Sequence, residues 1–367
     1  MINVIPQLPV TSSALPLREQ VEVELRGWLA EGRYGAGEQL PTAREIARLC
    51  GDVNEQTVRR AMKRLIDEGL LRGAQGKGVF VSEAGAVKHH RVALVLPNLE
   101  DEMTRLIAKG ARRVLDEAGF HTLILDARRD CEQESQHLAT LPDLPVDGAI
   151  IFPVAHGDIT ERIVKLKMDG FPVVLVDKYC PGIEVDCVLA DDFNGAYALT
   201  TALIQKGYRR IAWLSGEEGS TTVETRLDGY RWALGDHGLP VERALVRRLK
   251  VITPTSPYEE AVAVELEALL ALENRPRALI CANDLLAVDA LSCLQRAGLS
   301  VPRDMAIAGF DDLQMARAMT PALTTVAKPI EEMGRKGADM LLARFSRRNL
   351  PPEKAILEAE IMLRRST

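Results

Sequence analysis

Aromatic residues are scarce in this 367-residue chain, at 4 %. A site walled by stacked rings is therefore not expected. Trp213 falls in the middle of a strand-like run and Trp28 and Trp232 fall on helical faces, so all three read as core side chains. The six cysteines, Cys50, Cys131, Cys180, Cys187, Cys281 and Cys293, form no C-x-x-C pair, and no histidine stands at ligand spacing beside them. That excludes a disulfide framework and a zinc site and leaves the cysteines as reduced core residues. His89-His90 reads as part of a linker. Long apolar runs are lacking too: Val92–Leu96 and Ala149–Ala155 are far too short to span a bilayer. No segment combines a charged start, an apolar stretch and a small-residue cleavage site. A soluble, cytoplasmic protein with no membrane partner is expected.

Signatures of catalysis are lacking as well. Gly216-Glu217-Glu218-Gly219-Ser220-Thr221 follows a strand-like run, but it has no Gly-Lys-Ser/Thr ending to hold phosphate, and its two glutamates would oppose an anion. No G-x-S-x-G elbow, no G-x-G-x-x-G loop and no metal cluster appears elsewhere. Neither an enzyme activity nor a cofactor is expected, and this loop is expected to flank a ligand cleft.

What is present begins at Leu40. In LPTAREIARLCGDVNEQTVRRAMKRLIDEGLLRGAQGKGVFV, the apolar residues Val58, Ala61, Met62, Leu65 and Ile66 recur at helical spacing. The spacing predicts a helix over Glu55 to Asp67 with one buried face. Gln56, Arg59, Arg60, Lys63 and Arg64 share the other face. Pro41 to Leu49 reads as a shorter helix and Cys50-Gly51-Asp52 as the turn between the two. After Gly69, Leu70-Leu71-Arg72 and Gly78 to Val81 read as two strands joined by Gly73 to Lys77, a hairpin with a cation at its tip. Residues 1–90 hold 12 Lys plus Arg against 11 Asp plus Glu, so any basic footprint is local, from Arg59 to Arg72.

The order LPTARE, TVRRAM, EGL, GKGVFV resembles the GntR family of bacterial transcription regulators. The resemblance implies a winged helix-turn-helix over residues 1–81, with the second helix of the pair in the major groove and the wing tip along the minor groove. It places Arg44, Thr57 and Arg59 at DNA contacts and Gly76 and Lys77 at the wing tip. Asn54, Gln56 and Arg60 complete the candidate set. Asp52 looks like an extra residue in the turn, and Glu55 stands where many relatives carry a base-reading arginine. An acid there accepts from cytosine N4 but repels phosphate, so the expected operator differs from the family's best-known ones.

Residues 82–90 are rich in Ala, Gly and Ser and read as a linker. From Arg91 onward strands alternate with helices. Strands are expected at Arg91–Leu96, Thr122–Leu125, Ala149–Phe152, Val173–Val176, Ile211–Leu214, Ala278–Cys281 and Met305–Ala308, each a short apolar run suited to a doubly covered parallel sheet. Helices are expected at Met103–Ala118, Tyr197–Gln205 and Leu285–Arg296, each followed closely by glycine. The fold class is α/β, and residues 91–367 are too many for one compact sheet, so two lobes with a cleft between them are expected. In such sheets ligands bind beyond the carboxyl ends of strands.

VLADDFNGAYALTTALIQKGYRRIAWLSG, ICANDLLAVDAL, VPRDMAIAGFDD and LTTVAKPIEEMG resemble the effector-binding domain of LacI-type repressors, which shares its fold with periplasmic sugar-binding proteins. The resemblance implies an effector pocket containing Asp177, Arg226, Asn283 and Asp311. Their chemistry suits a polyol, because carboxylates accept from hydroxyls, Asn donates and accepts, and Arg forks onto two oxygens. Asp177 and Asp311 also end strands, where a carboxylate can simply cap the next helix. Tyr258 is a further pocket candidate, and Ile330 suits pocket and core equally. Pro97 to Met103 lacks the aromatic that the family often places after the first strand. Together the two resemblances imply a regulator, a repressor in particular, that binds operator DNA as a homodimer under control of a small polar effector such as a sugar. An activator, or a ligand receptor whose head contacts a protein, are the other readings these residues accommodate.

Overall fold

The computed structural model describes residues 16–30, 32–35, 37–51, 53–67, 69–74, 78–82, 89–154, 159–216, 220–249, 258–347 and 351–367. The chain divides into two compact units, Met1–His89 and His90–Thr367.

The first unit contains α1 (Leu17–Ala30), α2 (Ala43–Leu49), α3 (Glu55–Asp67), β1 (Leu71–Ala74) and β2 (Gly78–Val81). Its core joins Val21, Leu25 and Trp28 of α1 to Ile46 of α2, to Val58, Ala61, Met62 and Leu65 of α3, and to Leu71 and Val81 of the hairpin. Helix α2 begins two residues later than Pro41 suggests. Thr42 is its N-cap, with the Glu45 amide donating to Thr42 Oγ1 at 3.3 Å and the Thr42 amide donating to Glu45 Oε2 at 2.7 Å. Gly51 takes a φ of 83° in the turn before α3, and Gly69 takes 76° beyond its end. β1 pairs antiparallel with β2 from Leu71↔Val81 to Ala74↔Gly78. Asp52, Gly76 and Lys77 lie outside the described residues.

The second unit holds two six-stranded sheets. The first contains β3 (Arg91–Leu96), β4 (His121–Asp126), β5 (Gly148–Ile151), β6 (Val173–Val176), β7 (Asp186–Ala190) and β13 (Lys354–Leu357). Its order is β13-β7-β6-β5-β3-β4, all parallel. The second contains β8 (Ile211–Ser215), β9 (Val246–Arg248), β10 (Ala278–Cys281), β11 (Ala306–Asp311), β12 (Thr324–Ala327) and β14 (Glu360–Met362). Its order is β14-β12-β11-β10-β8-β9, parallel except for the antiparallel edge β14. β8 to β11 and β3 to β6 are the seven apolar runs expected from sequence, with the addition of β9. Five strands were not foreseen: β7 and β12, which lie one place in from a sheet edge and open on polar residues, and β9, β13 and β14, which are short and lie at the edges, where polar side chains replace the apolar run.

Helices cover both faces: α4 (Glu102–Glu117), α5 (Cys131–Thr140), α6 (Thr160–Met168) and α12 (Ile330–Ser346) on the first lobe, and α7 (Asp192–Gln205), α8 (Thr221–Asp236), α9 (Tyr258–Leu270) and α10 (Asp284–Arg296) on the second, which also carries the short α11 (Gln314–Ala318). One helix pair per lobe crosses at glycine. A Cβ on Gly110 of α4 would lie 1.9 Å from the Glu331 carbonyl oxygen of α12, and one on Gly229 of α8 would lie 2.3 Å from the Phe193 carbonyl oxygen of α7. The chain passes between the lobes at β7→α7, β12→α12 and β13→β14.

Two expected core positions are corrected. Trp232 of α8 is 62 % exposed, because the inward face of that helix belongs to Leu227, Tyr230 and Leu234. Cys131, at the first turn of α5, is exposed rather than buried, while Cys50, Cys180, Cys187 and Cys281 are buried. Trp28 and Trp213 are buried as expected.

Candidate nucleic-acid interface and ligand cleft

In the first unit α3 buries Val58, Ala61, Met62 and Leu65 and leaves Gln56, Arg59, Arg60, Lys63 and Arg64 exposed, with Thr57 half-buried. Arg44 is exposed in the first turn of α2, which packs on α3. The cations are not equivalent. Arg59 is paired with Glu55 at 2.6 Å one turn back, and Arg64 reaches the buried Glu22 of α1 at 3.2 Å. Arg64 therefore ties two helices together. Asn54 accepts from the Gln56 amide at 2.8 Å and starts α3, so its oxygen is committed to the helix terminus. Arg72 lies 5.1 Å from the Phe80 ring centroid, on the hairpin. What remains is a helix face carrying Arg59, Arg60, Lys63 and Gln56 beside Arg44, of the width and charge that a major groove accepts.

In the second unit, the strand order of each lobe reverses beside its first strand, between β3 and β5 and between β8 and β10, and such reversals open a crevice at the carboxyl ends. The charged residues gather there. Arg226, on the inward face of α8, donates from Nε to Asp192 at 2.7 Å, from Nη2 to Asp311 at 3.2 Å and from Nη1 to the Ala282 carbonyl. Its guanidinium carbon lies 3.8 Å from the centroid of the Phe310 ring. Lys328, on the segment that leads from β12 to α12, pairs with Asp177 at the end of β6 and lies 3.9 Å from Asp311. The cluster thus joins Asp177 of one lobe to Arg226, Asp192 and Asp311 of the other, and every member is buried.

Electrostatics follow from this packing. Burial pushes the Asp177 carboxyl up, but Lys328, Lys178 and Arg226 outweigh burial and hold it below the usual carboxylate range. Burial raises Asp311 despite Arg226 and Lys328. Burial and the neighbouring Asp311 carboxylate push Asp284 up to about 8, and its two oxygens accept from Thr325 Oγ1 at 2.6 Å and the Leu313 amide at 2.8 Å. Asp284 thereby fixes the loop beyond Asp311. In the other lobe burial pushes Glu134 up to about 7 while it accepts from the Val154 amide at 2.8 Å.

Asp177, Asp311 and Asp312 have φ values of 71°, 109° and 56°. Non-glycine residues enter this region at a cost, and such strain gathers at functional sites. Two cavities adjoin the cluster. One of about 270 Å³ is lined by residues including Asp177, Tyr179, Asp192, Thr222 and Lys354. The other, of about 280 Å³, is lined by residues including Leu106, Asp311, Arg317, Lys328 and Ile330.

Of the residues singled out from sequence, the fold brings Asp177, Arg226 and Asp311 together. Asn283 instead accepts from the Leu286 amide at 2.9 Å and caps α10. Tyr258 opens α9, and its side chain lies outside the described residues. Ile330 packs in the first lobe's core while also lining the second cavity. Lys328, Asp192 and Asp284 join the cluster without having been foreseen, although each stands inside a motif that carries the resemblance. Paired acids such as Asp191-Asp192 were a usable signal, since one residue suffices to cap α7, and Asp191 does so by accepting from the Asn194 amide at 3.1 Å.

Comparison with known proteins separates the same two parts. Residues 17–81 match the bacterial regulatory proteins of the gntR family, and residues 200–367 match a periplasmic binding protein-like domain. The arabinose metabolism transcriptional repressor of Geobacillus stearothermophilus is 31 % identical over 361 residues, which cover 96 % of this chain and 98 % of that protein. Among solved structures, the transcription regulator GntR from Chromobacterium violaceum superposes with a TM-score of 0.64 at 34 % identity, covering 75 % of this chain and 98 % of its own. A LacI family transcriptional regulator from Enterococcus faecium with bound ribose gives a TM-score of 0.65 at 28 % identity, covering 76 % of this chain and 98 % of its own. Alike in its winged head, its two-lobed α/β domain and nearly its whole length to the arabinose metabolism repressor, the chain belongs to the GntR family of bacterial transcription regulators, in the form that carries a periplasmic-binding-protein-like domain.

Proposed function

We propose that this regulator is a sugar-controlled repressor that binds operator DNA as a homodimer in the cytoplasm. The observation that carries the reading is the convergence of Asp177 and Asp311, from opposite lobes, on Arg226 and Lys328 beside two cavities of about 270 and 280 Å³. Carboxylates there accept from sugar hydroxyls, and in a closed cleft each unmade bond is costly, which is how such a site rejects the wrong epimer. The ribose bound in one relative and the arabinose metabolism named for another support the ligand class. The cleft is asked only to bind, with no cofactor.

Regulation follows from two-site thermodynamics. A sugar that holds the lobes together selects one arrangement of the effector domain, and it changes DNA affinity only as far as it binds the two arrangements differently. A dimer presents two α3 helices to two half-sites, with Arg44, Gln56, Thr57, Arg59 and Arg60 as the contacts and Gly76 and Lys77 at the wing tip. The test is fluorescence anisotropy of the full chain on DNA from upstream of its own gene, beside a scrambled duplex, with and without pentoses and hexoses. Selective, salt-sensitive binding that a sugar alters is expected. Equal affinity for both duplexes, unmoved by sugars, would refute the proposal.

A further inference from the structure

Given a sugar as effector, the ion pairs of the cleft decide which charge it carries. The charge of Arg226 is already matched, since Nε donates to Asp192, Nη2 to Asp311 and Nη1 to the Ala282 carbonyl, and its face lies on Phe310. Lys328 is fully buried against Asp177. Lys178 donates to the Pro153 carbonyl at 2.5 Å and lies 5.0 Å from the centroid of the Phe152 ring. Arg317 and Arg364 both pair with Asp312, at 2.7 and 2.6 Å, and Arg248 forks onto Glu224 at 2.5 and 2.9 Å. Lys354 is exposed at the rim of the first cavity, 4.6 Å from the centroid of the Tyr179 ring.

Against Arg226 and Lys328 the buried cluster sets three carboxylates, Asp177, Asp192 and Asp311. An entering carboxylate or phosphate therefore meets acceptors without an uncommitted buried cation, and like charges that close inside a desolvated site are strongly disfavoured. An uncharged polyol meets the same acceptors with hydroxyl donors. We infer that the Asp177–Lys328 pair is a charge filter: by neutralising the buried Lys328 ammonium at the meeting of the lobes, it restricts the cleft to uncharged sugars and excludes sugar acids and sugar phosphates. Lys328 stands on a segment that joins the lobes, so the filter lies where both lobes meet the ligand.

The filter rests on the sugar reading and is tested apart from it. Calorimetry on the full chain would compare glucose with glucuronate and glucose 6-phosphate, galactose with galacturonate, and arabinose and ribose with their 5-phosphates. At least one neutral sugar is expected to bind, with its anionic derivative weaker by about a hundredfold or more. In Asp177→Asn, which leaves Lys328 with only the more distant Asp311 carboxylate at 3.9 Å, that ratio is expected to fall by about tenfold or more. In Lys328→Gln it is expected to hold or rise. An anionic derivative that binds the wild type as tightly as its parent sugar overturns the filter and leaves the sugar reading standing. An unmoved ratio in folded Asp177→Asn also overturns it. Should that variant not fold, the wild-type comparison decides alone. Failure of every sugar, neutral or anionic, to bind refutes the sugar reading and the filter with it.

Discussion

The two candidate sites of this chain use positive charge in opposite ways. On the head Arg44, Arg60 and Lys63 are exposed, and Arg59 makes a surface pair with Glu55. In the cleft Arg226 and Lys328 are buried, each clasped by carboxylates. An exposed cation keeps its hydration until DNA replaces it, so its contribution is modest, additive and screened by salt. A buried cation is balanced by its neighbours at folding, so its removal leaves uncompensated charge. The same residue types thus serve attraction at one site and discrimination at the other.

The largest expected effect breaks the buried side of this contrast. Arg226→Met removes the cation that pairs with Asp192 and leaves Asp311 only the more distant Lys328, and it is expected to destabilise the second unit by about 3–5 kcal/mol. Thermal unfolding would show that unit's transition displaced downward with the head's transition unmoved, and sugar binding lost. An unshifted transition would show that burial does not separate the two sites. On the exposed side, Arg60→Ala is expected to weaken operator binding by about tenfold and to reduce the salt slope by about one, with stability and sugar binding unchanged. Anisotropy titrations at several salt concentrations measure both quantities, and Arg44→Ala should behave alike.

pH sharpens the contrast further. Asp284, raised from 3.8 to about 8 by burial, keeps its proton in the folded state over a range where the unfolded chain has lost it. Its contribution is complete below 3.8 and disappears as pH rises toward about 8. Glu45 on the head is held below its ordinary value of 4.5 by its hydrogen bonds with Thr42, so its contribution is present above 4.5 and lost on acidification. Melting between pH 4 and 8 should therefore show the second unit losing stability as pH rises, and Asp284→Asn should flatten that slope while leaving the head's response alone. The smallest effect concerns a residue common to both readings of the cleft. Asn283→Ala is expected to cost about 1 kcal/mol by removing the α10 cap, and Asn283→Ser to restore it. Sugar affinity in the serine variant should equal that of the wild type, and a deficit there would make Asn283 a ligand contact.

Much of the fold was legible because parallel strands covered on both faces must be apolar throughout. Val173–Val176 and Ala278–Cys281 announce themselves in this way. Helix α3 was legible because five apolar residues keep helical period while the cations keep the opposite face. β9 reads VRR and β13 reads KAIL, and such edge strands carry no periodic signal that outweighs their polarity. In the site, Asp177, Arg226 and Asp311 stood out by resemblance. Lys328 did not, because a lysine before proline reads as a solvated loop residue and lysines are rarely buried.

The sequence by itself determined the two-part organisation, the winged head and its basic helix, and the alternation of strands and helices, because each is a local pattern of period, cap and turn. The tertiary structure alone decided which charges meet. Asp177 and Lys328 are 151 residues apart, and Arg226 and Asp311 are 85 apart. No local rule pairs them. Only the crossing of the chain between lobes at β7→α7 and β12→α12 carries these residues to one place, and only burial there turns ordinary side chains into a balanced, selective cluster.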